Sequence, residues 1–325
     1  VTTEKKPEIS VVICTRNPRG DLMGRVLDAL RGQTLDVARY ELVLVDNGST
    51  PALDASVLDG GRGLPLRVIR EERAGLTVAR CAGIAAAQAE LLAFVDDDNF
   101  LERDYLEEAV RIAAREADVG HFGGISQAEL EKPVSWTKGK LLGHLGVRDH
   151  GAEAITSKKT EWGPWEPIGA GMVSRREVAR KWVEMVSTIP EARLLGRAGK
   201  ALLSGEDALF ARAANALGYA CSYQPGLKLT HYMKRGRLKW WYFCKILEGH
   251  GRSFVLLRRA LGEKPKAITR MQLIMRLKYR VKKEGRLGLA TWFWDVGYWA
   301  QASAPTPMTE NIDGAGREGS SVAAA

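Results

Sequence analysis

The sequence predicts an α/β fold: a mixed, mainly parallel sheet flanked by helices, with a helical appendage at the carboxyl end. Three observations carry that expectation. Short apolar runs stop abruptly at polar residues, at Thr15, Asp46 and Asp96, as suits strands buried on both faces. Stretches with apolar residues at helical spacing alternate with those runs, the pattern of crossover connections between parallel strands. The acids that end the runs then fall at strand carboxyl ends, where open α/β sheets collect ligands.

The first strand is Glu8 to Cys14, ending at Thr15-Arg16-Asn17-Pro18. Pro18 stops it, and Asp21 can cap a helix through about Arg31 with Leu22, Val26, Leu27 and Leu30 on one face. Tyr40 to Val45 is a second strand, broken by Asp46-Asn47-Gly48-Ser49, and Leu66 to Ile69 a short third. Thr77 to Ala89 is Ala-rich and helical, and it leads into the strand Leu91 to Val95. Leu101 to Glu116 is helical again. A dinucleotide site would need G-x-G-x-x-G directly after the first strand. Cys14-Thr15-Arg16-Asn17 has no glycine, and Gly169-Ala170-Gly171 comes too late and lacks the third.

The fourth strand runs straight into Asp96-Asp97-Asp98-Asn99. Three adjacent carboxylates repel one another, and a hard divalent cation with oxygen ligands relieves that repulsion. Mg²⁺ at such a site usually also holds a substrate phosphate, and Mn²⁺ takes the same kind of oxygen site. A solvated acidic turn capping the next helix is the alternative.

With 325 residues, the chain is long enough for one large domain plus an appendage. The net charge of +9 is uneven: Lys228 to Arg286 holds eighteen Lys and Arg against three acids, leaving the rest mildly acidic. Cys14, Cys81, Cys221 and Cys244 form no C-x-x-C pair and read as reduced, buried thiols. Val1 to Glu8 is polar, with no secretory signal, and no apolar run reaches the ~18–20 residues of a spanning helix. The expected location is the cytoplasm, with a peripheral place on the inner face of the membrane left open.

Taken together, Ser10 to Asn17, Leu42 to Ser49, Gly75-Leu76-Thr77-Val78-Ala79-Arg80, Phe94 to Asp98, and Gly205-Glu206-Asp207 with Leu209, Phe210 and Arg212 resemble the motifs of family-2 glycosyltransferases with the GT-A fold, in the family's order. The resemblance covers roughly residues 8–260. It implies an inverting transfer of a sugar from a nucleoside-diphosphate sugar to an acceptor hydroxyl, with Mn²⁺ or Mg²⁺ as cofactor. Asp98 would ligate the metal, Asp96 would contact the ribose or the metal through water, and His231 would complete the site. Asp97, between them, would point elsewhere while remaining part of the donor-binding turn. Asp46 would accept a hydrogen bond from the imide of uracil or thymine, which favours a UDP or dTDP donor and leaves GDP open. An Asx turn at Asp-Asn-Gly-Ser is the local alternative. Thr15 and Arg16 would lie beside the base or ribose, Arg80 above the nucleotide with Arg73 a neighbour, and Gly169 and Ala170 close to the donor sugar. Lys234, with Arg235 and Arg237, would embrace the diphosphate, unless these form a solvated basic turn. Asp207 would be the general base and Glu206 would position the acceptor or the loop. Two acids in a helix's first turn also have a plain dipole explanation.

Trp162 to Met172 reads as a wall for donor sugar and acceptor, or as a packed turn. His121 to Leu145 is the least legible stretch and is taken as an acceptor loop. The expected division is a catalytic domain over 1–236, a basic helical region over 237–302 and a disordered tail over 303–325. In the helical region Gly249 and Gly251 are expected to interrupt a helix over Leu238 to Ala260. Ile268 to Lys283 is a second, basic amphipathic stretch, and Leu287 to Trp299 a third, apolar one. Basic stems beside Trp and Phe suit an anionic membrane surface; packing on the catalytic domain or on a second subunit is the alternative. No nucleic-acid recognition module accompanies the charge. A nucleotidyltransferase, or a non-catalytic membrane- or polymer-binding relative, are the rival functions. The missing Gly-rich loop argues against the first, and Asp96, Asp98 and Asp207 together against the second.

Overall fold

The computed structural model describes residues 6–197 and 202–305. A nine-stranded sheet organises them. Its parallel half centres on β1 (Ile9–Thr15), which lies between β2 (Tyr40–Asp46) and β4 (Leu91–Val95), with β3 (Leu66–Arg70) beyond β2. The order reverses direction at β1, so the carboxyl ends of β1 and β4 open a crevice of the kind that holds ligands in such sheets. Thr15 and Asp96 to Asp98 stand there.

Alternation along the strands divides the core between two faces. Val11 and Ile13 pack with α1 (Gly20–Arg31) and α4 (Tyr105–Arg115). Val12, Leu92 and Phe94 face the other way, onto α3 (Leu76–Ala86), α6 (Arg176–Thr188) and α8 (Glu206–Ala216). A short α2 (Ala55–Asp59) fills the connection before β3, and α7 (Pro190–Arg193) follows α6.

The other half of the sheet is mixed. β8 (Val173–Arg175) runs antiparallel to both β4 and β6 (Val119–Leu130), and β9 (Ala220–Met233) runs parallel to β6. β5 (Asn99–Leu101) and β7 (Ile155–Ser157) pair with β9. Residues expected to begin a helix at Leu101 therefore belong partly to a strand, and α4 begins at Tyr105. The cause is long-range pairing that sets Asn99 opposite His231. His121 to Leu130, expected within a loop, lies in β6; α5 (Trp136–Gly139) and a 3-10 turn follow it.

Three helices close the described chain: α9 (Trp240–Ala260), α10 (Arg270–Glu284) and α11 (Arg286–Ala302). Phe243, Leu247 and Ala290 share a third core with Leu141, Leu145 and Met233, so the region expected from residue 237 packs on the sheet body. Gly249 and Gly251 do not interrupt α9. A Cβ on Gly249 would lie 2.1 Å from the Leu202 carbonyl oxygen, and one on Gly251 2.0 Å from that of Trp294. Their absent side chains let backbones touch. Of the tail, residues 306–325 lie outside the described residues. Among the described residues no helix is long and apolar enough to cross a membrane.

Candidate active site

A cleft of about 780 Å³ opens at the carboxyl ends of β1 and β4, a size that accommodates a substantial ligand. At one end stands the acidic turn. The Asp97 carboxylate accepts a 2.6 Å hydrogen bond from Thr15 Oγ1, so this acid lines the cleft with its neighbours. That differs from the expectation that it points away, because the end of β1 lies close enough to catch it. Asp98 is 6% exposed, with His231 Nε2 3.4 Å from one oxygen and Arg237 Nη1 3.4 Å from the other. Lys234 Nζ lies 3.5 Å from Asp97 and 3.9 Å from Asp98. Burial opposes ionisation of Asp98, but the hydrogen bond from His231 and the nearby positive charges outweigh it and hold the carboxyl below its usual range. Asp96 moves the other way: burial raises it, Arg80 opposes, and the Asp98 charge adds to the rise. Arg16 is exposed on the cleft wall.

Asp46 is placed differently from its neighbours. Its carboxylate accepts from the backbone N–H of Ser49 (2.8 Å) and Leu53 (3.1 Å) and from Arg70 Nη1 (2.7 Å), and it is 1% exposed. Burial works against the charge, and these donors more than offset it, holding the carboxyl low. Both oxygens are thus committed to the Asp-Asn-Gly-Ser turn and to Arg70. The cleft surface is supplied by Asn47, which also fixes Gly75 by accepting from its N–H at 2.9 Å. Arg73 pairs with Glu71 at 2.8 Å and is largely exposed, away from the cleft lining.

The second acidic group comes from the first turn of α8. Gly205, with φ of +92°, turns the chain into that helix. Glu206 is buried and its Oε1 lies 3.2 Å from Arg80 Nη1. Burial pushes its carboxyl up to about 7, the charge of Asp207 adds to this, and Arg80 opposes. Arg80 itself is 2% exposed, and the charges of Glu206, Asp96 and Asp207 overcome burial to keep it protonated. It sits between the two acidic groups and joins them electrostatically. Asp207 accepts from Gly169 N–H at 3.1 Å and from Ala208 N–H at 2.8 Å while lining the cleft.

Gly169 and Ala170 belong to a loop that hangs from β4: Phe94 N–H donates to Met172 O and Gly171 N–H to Phe94 O. Gly171 adopts φ of +72°, and a Cβ there would lie 2.3 Å from Leu229 and 2.8 Å from the Tyr105 hydroxyl. Only glycine fits. The same loop carries Glu166, which sequence reasoning did not single out. It is fully buried and paired with Arg212 of α8 at 2.7 Å. Burial pushes it up to about 7, against the opposing Arg212 charge. Also unforeseen is the opposite wall of the cleft, where α9 and α11 supply His250, Ser253, Phe254, Leu257 and Trp294. No local signal marks these residues, which meet the residues of the acidic turn only through the tertiary fold.

Two carboxylates and an imidazole nitrogen form a hard, oxygen-rich donor set of the kind that takes Mg²⁺ or Mn²⁺. Asp96 and Asp98 are like charges at close quarters, which a cation would relieve. The residues present fit such an ion in chemistry, although among the described residues no three of them already converge as a ligand cage.

An α/β body with acidic residues gathered at the strand ends of one cleft is of the kind that binds ligands at its topological switch point. The family model for glycosyl transferase family 2 matches residues 10–182, more than half of the chain, and the chain belongs to that family. It is 33% identical over 114 residues to the Bacillus subtilis (strain 168) protein EpsH, named as a glycosyltransferase, covering 35% of this chain and 32% of that one. It is 32% identical over 154 residues to the dodecaprenyl-phosphate galacturonate synthase of Rhizobium johnstonii, covering 44% and 45%. The chain spans less than half the length of these curated relatives. Its fold is similar to that of a mannosyltransferase, PcManGT from Pyrobaculum calidifontis, solved in complex with GDP-Man and Mn²⁺. The TM-score is 0.54, with 20% identity, over 93% of this chain and 77% of that one.

Proposed function

We propose that the chain is an inverting glycosyltransferase that moves a sugar from a nucleoside-diphosphate donor to an acceptor hydroxyl. The observation that carries this reading is Asp207. It is an acid on the cleft surface, held by the Gly169 N–H, in the same cleft as Asp96 to Asp98 and joined to them through Arg80. Asp207 takes the proton from the acceptor hydroxyl as that oxygen attacks the anomeric carbon. The bond from that carbon to the diphosphate breaks in the same displacement, which inverts the centre and releases the nucleoside diphosphate. Lys234 and Arg237 supply donors for phosphate oxygens. Glu206 holds Arg80 between the acids.

Asp98 and Asp96, with His231, would hold Mn²⁺ or Mg²⁺, which neutralises charge building on the leaving diphosphate. The mannosyltransferase of similar fold was solved with GDP-Man and Mn²⁺, in keeping with a nucleotide-sugar donor and a divalent ion here. The preference for UDP or dTDP rests on Asp46, whose oxygens already serve Ser49, Leu53 and Arg70. Any imide contact must therefore share that carboxylate.

Calorimetric titration of UDP, dTDP and GDP, with and without Mn²⁺, tests the donor site. The expected result is metal-dependent binding of one diphosphate that is lost in Asp98→Ala. Absence of metal-dependent binding to all three would reduce the acidic turn to a capped loop and overturn the reading.

A further inference from the structure

The cleft does not account for α10. This helix carries five of the thirteen exposed large hydrophobic residues of the described chain: Met271 (66%), Ile274 (48%), Met275 (62%), Tyr279 (65%) and Val281 (41%). Exposure on that scale in one 15-residue helix marks an interaction site more often than chance placement. Its side toward α11 is fixed by an ion triad of which the acid alone is buried. Asp295 of α11 is fully buried and accepts from Arg276 at 2.8 Å and from Arg280 at 2.6 Å. Leu273 is buried on the same side, and its carbonyl accepts from Trp292 Nε1 at 3.0 Å. With Arg276, Arg280 and Leu273 turned inward, helical spacing turns Met271, Met275, Lys278 and Lys282 outward on one stripe, flanked by Ile274 and Tyr279. A Thr269–Gln272 capping box secures the amino end of the helix.

The charge on the outward face is of one sign. Arg270, Lys278, Lys282 and Lys283 are exposed, and Glu284, the helix's last residue, is the single acid. We propose that this outward face of α10 docks the protein on an anionic lipid bilayer. Met271, Ile274, Met275 and Tyr279 enter the headgroup–acyl boundary, and the lysines lie at the level of the lipid phosphates. Interleaving of apolar and basic side chains on the same stripe favours a bilayer over a nucleic acid or an acidic protein, which would use the charge and leave the methionines in water. This surface is independent of the glycosyl-transfer reading, because none of its residues lines the cleft.

The test is sedimentation of the full chain with vesicles of phosphatidylcholine alone and with about one third phosphatidylglycerol, at low and high salt. Binding is expected to the anionic vesicles and to weaken as salt rises. Met271→Glu with Met275→Glu, and separately Lys278→Glu with Lys282→Glu, are each expected to weaken it ~10–100-fold. Melting temperature and nucleoside-diphosphate binding should stay unchanged. Hydrogen exchange of the unaltered protein gives a second readout: residues 270–284 should gain protection on anionic vesicles. No binding to those vesicles, binding that both double variants retain, or protection confined to other segments would overturn the proposal. So would retention on a polyanion that ignores the methionines, without lipid binding.

Discussion

At one end of the cleft Asp98 is met by His231, Arg237 and the partly exposed Lys234, and its carboxyl is held below the usual range. At the other end Glu206 is buried with Arg80 as its one ion-pair partner among the described residues, and its carboxyl is raised to about 7. The residue chemistry is the same, and the surroundings drive it in opposite directions. A carboxylate kept ionised among several donors is suited to exchanging those donors for a cation and phosphates. A carboxyl raised by burial and paired with a buried arginine is suited to orienting its neighbours. Arg80 is shared by both ends, so each senses the charge state of the other.

The sharpest break of that comparison removes the acid that faces the cleft. Asp207→Asn keeps the size and the hydrogen bond from Gly169 but cannot take a proton. Turnover should fall by ~10²–10⁴, while calorimetric affinity for the nucleoside diphosphate stays the same. Unchanged turnover would remove Asp207 from the chemistry. Next comes Arg80→Met, which leaves Glu206 and Asp96 without their shared cation in a buried setting. Breaking one side of such a pair costs about 3–5 kcal/mol, measured by denaturant unfolding. The loss should be smaller at pH 5 than at pH 8, because an unpaired Glu206 is neutral at the lower pH.

Glu166 extends the comparison to a third carboxyl. Its ordinary value of 4.5 rises to about 7 in the folded chain. Between those values the folded state holds a proton that the unfolded state has released, so this carboxyl makes stability fall as pH rises from about 4.5 to about 7 and has no pH effect outside that window. The whole span amounts to about 3 kcal/mol. Glu166→Gln cannot titrate, so the stability of the unaltered protein relative to the variant should decline across the window in urea melts. A difference that rose with pH would mean that the Arg212 pair dominates and the carboxyl is held low.

These residues were not equally legible in the sequence. Asp96 to Asp98 and Glu206-Asp207 stand out because each follows a local break, an apolar run in one case and Ser204-Gly205 in the other. The parallel half of the sheet was equally plain, since Val11 to Ile13 and Leu42 to Val45 are apolar runs with visible ends. Asp46 was found, but its partners Leu53 and Arg70 were not, and they decide where its oxygens point. Glu166 pairs with Arg212, 46 residues away, and a lone acid between Trp165 and Pro167 gives no local sign of that. β5 is three residues long and exists because β9 lies beside it. Gly249 and Gly251 were misread as helix breaks because the backbones they admit come from distant segments. Local chemistry could be read from neighbours in sequence; the wall of the cleft could not.

The smallest expected effect on stability separates the two ends most cleanly. Lys234 approaches Asp97 at 3.5 Å and Asp98 at 3.9 Å, with about a third of its side chain exposed. Pairs of that length and exposure contribute under ~1 kcal/mol to folding. Lys234→Ala should therefore leave the melting temperature almost unmoved where Arg80→Met lowers it clearly. Its effect should appear instead in ligand binding, as weaker and less salt-dependent affinity for the nucleoside diphosphate, because a phosphate-facing charge has been removed. The same measurements on both variants decide the matter. If Lys234→Ala cost as much stability as Arg80→Met, the donors around Asp98 would be structural braces like Arg80. The cation-rich end would then lose its distinction as the place where charge is meant to be exchanged.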